Sequence, residues 1–197
     1  MLSVIIATYN RCASLGNVLN GLLTQEGISA DTDYEIIVVD NNSTDGTKRL
    51  VEFFMDKAGN RLRYFFDPVR GKAHALNLGI RESRGEILIF TDDDVIVDNK
   101  WIFYVNESFK KFSVDAMGGR VLPVYPRSTP SWVKSQSDLL QGLVVRHDYG
   151  EDIKCYDDFM MPFVGSNMAL KRRLYVGEDL FENEVGLGTG RRGEDTE

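Results

Sequence analysis

The stretch "EILIFTDDDV", residues 86–95, sets an apolar run against three acids. Ile87-Leu88-Ile89-Phe90 is apolar at every position, the mark of a strand covered on both faces, as in a parallel sheet. Thr91 ends the run, and Asp92, Asp93 and Asp94 follow. Repulsion and desolvation both oppose three like charges at the mouth of a buried strand. Either these acids stand in water without a role, or a positive charge belongs among them.

The same form recurs upstream. Ser3-Val4-Ile5-Ile6-Ala7 is a second apolar run, closed by "TYNR". A third, Glu35–Val39 in "YEIIVVDNNSTDGT", is closed by Asp40 and a polar turn, and "LRYFFD" reads as one more strand. Helical patterns lie between them. "SLGNVLNGLLTQ" places Leu15, Val18, Leu19, Leu22 and Leu23 on one face, with Ser14 as the expected cap. A second helix is expected from Thr44 or Asp45, carrying Leu50, Val51 and Phe54. "GKAHALNLGIRES" predicts a third, apolar at Ala73, Leu76 and Ile80 and ending at Gly85. Residues 1–94 thus read β-α-β-α-β-α-β, which predicts a parallel sheet with helices on both faces. Ligands bind such sheets outside the carboxyl ends of the strands. "TYNR", "DNNSTD" and "TDDD" all close strands, so they are expected to converge on one edge.

Beyond residue 94 the pattern loosens. "WIFYVNESFKKF" predicts an amphipathic helix, "AMGGRVLPVYP" a glycine-flanked strand and "RSTPSWV" a loop. "MPFVGSNMALKRRLY" reads as a strand, a tight turn, then a strand or helix start. "GLGTGRRG" has the glycines of a phosphate cradle without a following Lys-Ser/Thr, and reads as a flexible loop. One domain is expected over 1–197, with a regular half at 1–94 and a looser half at 95–197. The abrupt end at "GEDTE" reads as a fragment of a longer protein.

Composition narrows the classes. The 197 residues are 43% hydrophobic and 27% charged, ordinary for a globular chain with one sizeable core. A net charge of −7 excludes a basic nucleic-acid footprint. Lys171-Arg172-Arg173 reads as a solvated helix face. Cys12 and Cys155 are far apart and show no metal-site spacing, which fits a reducing, cytoplasmic compartment. No apolar run approaches the roughly 18–20 residues that span a bilayer. A membrane association would therefore be a surface contact, or would lie outside this sequence.

Asp92-Asp93-Asp94 offers only hard oxygen ligands. Carboxylates at one-residue spacing suit Mg²⁺ or Mn²⁺, which keep several waters and share a ligand's phosphate oxygens. The alternative is a turn whose acids cap the helix beginning near Trp101. The turn after Asp40 could bond the amide edge of a pyrimidine, or serve only as turn and cap. Tyr9 could stack on a base, or pack. No Gly-x-Gly-x-x-Gly and no Walker lysine follow the first strand.

In order, "SVIIATYNR", "EIIVVDNNSTDGT", "RGKAHALNLGIRESRGEILIFTDDDV", "FVGSNMALKR" and "GEDTE" resemble the motifs of family 2 glycosyltransferases of the GT-A fold. The resemblance covers nearly the whole chain and implies a mostly parallel central sheet with helices on both faces and a small antiparallel acceptor-side portion, in one catalytic domain with a nucleotide-binding half at 1–94 and an acceptor-side half at 95–197 that lacks its C-terminal part. It implies an inverting transfer of sugar from a nucleotide-sugar, most often a UDP-sugar, to a hydroxyl of a saccharide, lipid-linked or other acceptor. Ala7, Thr8, Tyr9, Asp40 and Asn41 would hold the base, with Lys72 near the nucleotide. Asp92 and Asp94 would be the metal ligands of a DxD, with Asp93 close to the ribose or sugar. Gly165, Ser166 and Asn167 would line the donor sugar and acceptor. Asp195 would be the catalytic base, with Glu194 beside it. No Ser, Cys or His nucleophile is required, and His74 and His147 are expected to be structural. In the family a helix follows "ED", so residues 1–197 are expected to bind nucleotide better than they turn it over. Two rivals are a sugar nucleotidyltransferase, which "ATYNRCASLG" does not match, and a nucleotide-sugar binding module without transfer.

Overall fold

The computed structural model describes residues 1–29, 33–135, 146–148, 150–156, 163–175 and 180–181. Strand β1 (Leu2–Thr8) is the spine. It pairs in parallel with β2 (Tyr34–Asp40) on one side and β4 (Ile87–Phe90) on the other, and β3 (Leu62–Phe66) lies outside β2. β6 (Met168–Lys171) runs antiparallel to β4, and β5 (Ala116–Gly118) antiparallel to β6, giving the order β3-β2-β1-β4-β6-β5. The sheet is mixed and mostly parallel, with a short antiparallel part.

Strand periodicity divides the core into two layers. Val4, Ile6, Ile36, Val38 and Ile89 point to one face, under α1 (Cys12–Leu23), α2 (Thr47–Ala58) and α4 (Trp101–Lys111). Their neighbours Ile5, Ile37, Val39, Leu88 and Phe90 point to the other, under α3 (Lys72–Glu82). Both faces being covered is why these strands are apolar at every position. α3 lies so close to the sheet that a Cβ on Gly79 would stand 2.5 Å from Ile5 Cγ2. The amide of buried Asn77 exchanges two hydrogen bonds with the backbone of Phe181, pinning that residue to α3.

Several local expectations are corrected. Ser14 does not cap α1; its hydroxyl donates to Arg11 O within the first turn. The Cys12 N–H donates instead to Asp45 Oδ2 at 3.1 Å, across 33 residues. α2 begins at Thr47 rather than at Thr44 or Asp45, and the Thr44 N–H donates to Asn10 Oδ1. α3 stops at Glu82, short of Gly85: Arg172 takes the carbonyls of Ile80 and Gly85, and a Cβ on Gly85 would meet the Ser3 backbone at 2.6 Å. The acids of residues 92–94 do not cap α4, which has no side-chain cap. The expected loop 127–133 includes the start of a short helix, α5 (Ser131–Ser135). The expected strand in "AMGGRVLPVYP" is limited to β5 and a single bridge, Val121 to His147. Lys171-Arg172-Arg173 is no solvated helix face: Lys171 ends β6, and Arg172 bonds the α3–β4 turn. No helix among the described residues is long and apolar enough to cross a membrane.

Candidate active site

β1 has β2 and β4 as neighbours on its two sides, so the chain reverses its order of strands there. A parallel sheet opens a crevice at such a point, at the carboxyl ends. Here an open cleft of about 1540 Å³ lies above the ends of β1 and β4 and the start of α3. Of the residues predicted from sequence, it brings together Ala7, Thr8, Tyr9, Asn41, Lys72, Asp92, Asp93, Asp94, Ser166 and Asn167. Asp40 and Gly165 do not line it. Glu194 and Asp195 lie outside the described residues.

Cross-element hydrogen bonds fix this wall. Thr8 Oγ1, at the end of β1, donates to Asp93 Oδ2 at 2.7 Å. Burial pushes the Asp93 carboxyl above the usual carboxylate range; the Thr8 hydroxyl opposes that rise, while the charges of Asp94 and Asp92 add to it. Lys72 Nζ lies 3.0 Å from Asp92 Oδ1, and Arg11 Nη1 lies 3.3 Å from Asp94 Oδ2. The acids therefore already have positive partners, supplied by the first residue of α3 and by the loop after β1.

Asn41 forms the floor, with Asp40 buried beneath it. Asp40 is 1% exposed and accepts from the Ser43 N–H and the Tyr64 hydroxyl, both at 2.8 Å. Burial, together with the bond to Asp40, holds the Tyr64 phenol far above its ordinary value. The Asn41 amide donates to Val69 O and accepts from the Gly71 N–H. That pair shapes the loop carrying Arg70, Gly71 and Lys72 into the cleft, with Gly71 at φ 138°, a conformation open to glycine. Tyr9 is 41% exposed; its hydroxyl accepts from Arg70 at 2.6 Å, and the guanidinium carbon lies 5.1 Å from its ring centroid.

The other side of the cleft is closed by Thr91, Ser166 and Asn167. Thr91 Oγ1 donates to Ser166 O. Asn167 Oδ1 accepts from Trp101 Nε1 at 2.9 Å, and its Nδ2 donates to Arg120 O at 2.9 Å. Arg11, Arg70, Trp101 and Arg120 line the cleft without having been singled out from sequence. Arg11 and Arg70 stand inside the quoted motifs "TYNR" and "RGK", so position within the motif was an available signal. Trp101 and Arg120 carried none: each reaches the site only through the fold.

The family profile for glycosyl transferase family 2 matches residues 3–177. Glycosyltransferase AglE of Haloferax volcanii is 35% identical over 124 residues, 63% of this chain and 40% of that protein. Among solved structures, S. aureus TarS 1-349 in complex with UDP-GlcNAc has a TM-score of 0.70 at 20% identity, over 91% of this chain and 48% of that one. The mannosyltransferase PcManGT from Pyrobaculum calidifontis, in complex with GDP-Man and Mn²⁺, has a TM-score of 0.61 at 24% identity, over 88% of this chain and 45% of that one. The structural likeness shows the GT-A fold. The chain spans less than half the length of each of these three proteins.

Proposed function

The chain belongs to glycosyl transferase family 2, and on that premise we propose that its cleft holds a nucleotide-sugar and passes the sugar to an acceptor hydroxyl with inversion. The observation that carries this is the convergence of Thr8, Asn41, Lys72 and Asp92–Asp94 from four separate elements on one cleft. TarS and PcManGT, bound to UDP-GlcNAc and to GDP-Man, support a nucleotide-sugar donor, and a UDP-sugar is the preferred candidate. In this proposal 1–197 is one catalytic domain, with its donor half at 1–94. It works in the cytoplasm, with any membrane association made by a surface contact or by a part of the protein outside this sequence.

The donor set fits a divalent ion of the Mg²⁺ or Mn²⁺ kind. Asp92 and Asp94 offer oxygen alone, and the described residues contain no group of three His, Cys, Asp or Glu that could hold a metal by itself. Such an ion would take water and diphosphate oxygens beside the ligands from the described residues. When bound, such an ion supplies charge stabilisation to the departing diphosphate. The chain's own groups do the rest. The basic loop Arg70–Lys72 and the positive end of α3 face the diphosphate. Ser166 and Asn167 position the sugar. The acceptor oxygen bonds the anomeric carbon as its bond to the phosphate oxygen breaks. The nucleoside diphosphate leaves with that electron pair, and the hydroxyl proton passes to a carboxylate. Asp195 has that role by its "GED" motif.

Calorimetric titration with UDP-, GDP- and dTDP-sugars, with and without Mn²⁺, tests the proposal. Binding that Mn²⁺ tightens, with transfer abolished but binding kept in Asp195→Asn, is the expected result. Absence of metal-dependent nucleotide binding for every donor would overturn it.

A further inference from the structure

The two acids that would hold the divalent ion, Asp92 and Asp94, are the two that carry ion pairs to the chain's own cations. The middle acid, Asp93, has no such pair among the described residues and takes the Thr8 hydroxyl instead. We propose that Lys72 and Arg11 are exchangeable counter-ions. They neutralise Asp92 and Asp94 in the empty cleft, yield those carboxylates to the metal, and turn to the phosphate oxygens that arrive with it. This rests on the cleft holding a nucleotide diphosphate.

An ammonium 3.0 Å from Asp92 Oδ1 occupies the approach that a metal ligand must leave open. With Lys72 and Arg11 in place, the three carboxylates keep a single net negative charge. A divalent ion arriving alone would therefore displace two cations against weak net attraction. A diphosphate brings the negative charge that gives those cations somewhere to go. Both side chains already lie in the cleft, so the exchange needs new rotamers and no movement of backbone. Lys72 is the stronger gate. Its pair is 24% and 21% exposed, whereas the Arg11–Asp94 pair is 57% and 47% exposed and largely screened by water. The consequence is that metal and nucleotide bind as a coupled pair, each tightening the other by the same factor.

Mn²⁺ binding without nucleotide, read from the free-ion signal in electron paramagnetic resonance, separates this exchange from the wider functional proposal. Lys72→Met is expected to bind Mn²⁺ alone roughly fivefold or more tighter than the wild type, the lower end of usual coupling factors. The same variant is expected to lose most of the mutual tightening of Mn²⁺ and UDP seen by calorimetry. Arg11→Met should shift both in the same direction by less, and it carries the test if Lys72→Met does not fold. Arg70→Gln removes a cation that lines the same cleft but bonds Tyr9, so its Mn²⁺ affinity should stay within about twofold of the wild type. Unchanged Mn²⁺ affinity in Lys72→Met, or an equal gain in Arg70→Gln, would overturn the exchange. Absence of binding to the wild type for UDP, GDP and dTDP alike would overturn the nucleotide-sugar proposal, and the Mn²⁺ comparison would still decide the exchange.

Discussion

The two walls of the cleft are built differently. The donor wall stands on β1, β2 and β4, whose side chains are almost wholly buried, and polar groups at its rim are tied across the fold: Thr8 to Asp93, Asn41 to Gly71, Lys72 to Asp92. The opposite wall is made of turns. Ile96, Leu122 and Val124 line it at 78%, 52% and 72% exposure, and its clearest tie is the Trp101–Asn167–Arg120 chain. A parallel sheet fixes charge to within hydrogen-bond distance because its strands cannot shift without exposing both faces of the core. Turns over a short antiparallel pair offer apolar surface and few fixed points.

The comparison would break at Asp92. In Asp92→Asn the donor wall keeps its shape and loses a charge, so transfer should fall about 10²-fold or more, near 2.7 kcal/mol, with little change in melting temperature. A variant that melted early instead would mean the acid mainly holds the fold. Gly79→Val asks how rigid the same wall is. Its Cβ would press on Ile5, a buried β-branched side chain with little rotamer freedom. Overpacking of about 1–3 kcal/mol should lift α3, and Lys72 with it. Chemical denaturation should show the loss of stability, and calorimetry should show weaker UDP binding.

The turn-built wall is probed by Asn167→Ala. Removing this amide leaves Trp101 Nε1 without its acceptor and frees Arg120 O, a loss of about 1–2 kcal/mol in stability. The acceptor KM should rise while UDP affinity holds. If UDP affinity falls as much as acceptor affinity, the two walls are not independent.

What the sequence disclosed follows the same division. The alternation of strand and helix over 1–94 and the meeting of "TYNR" and "TDDD" were legible, because uninterrupted apolar runs closed by polar clusters have one common solution. The positive partners of the acids were not, although both belonged to quoted motifs. A counter-ion pair such as Lys72–Asp92 depends on how α3 is aimed, and Gly71 and Asn41 set that aim through the fold. Asp40 carries a second unread pair of partners: the acid that closes β2 is buried and bonded to Ser43 and Tyr64, contacts that strand periodicity does not reveal. In the acceptor half, β5 has three residues and β6 four, too short for periodicity to mark them off from turns.

The smallest expected effect lies behind the donor wall, where Asp45 serves two helices. Its Oδ2 accepts from the Cys12 N–H in the first turn of α1, and its Oδ1 from the Thr47 N–H and hydroxyl in the first turn of α2. The Thr47 hydroxyl is the main cause that holds the Asp45 carboxyl below its ordinary value of 3.8, with the backbone bonds from Cys12 and Thr47 adding to it. Asp45→Ala should cost about 1 kcal/mol, the usual loss of a helix cap. The sign with pH follows from the lowered value. The folded state binds this proton less readily than the unfolded chain, so the ionised carboxylate stabilises above pH 3.8 and the contribution fades as pH falls below it. Thermal melts of wild type and Asp45→Ala should therefore differ fully at neutral pH and draw together below pH 3.8. A gap unchanged far into acid would place the stabilisation in packing around α1 and α2. The loop between β2 and α2 would then owe its place at the cleft to apolar contact and not to this shared cap.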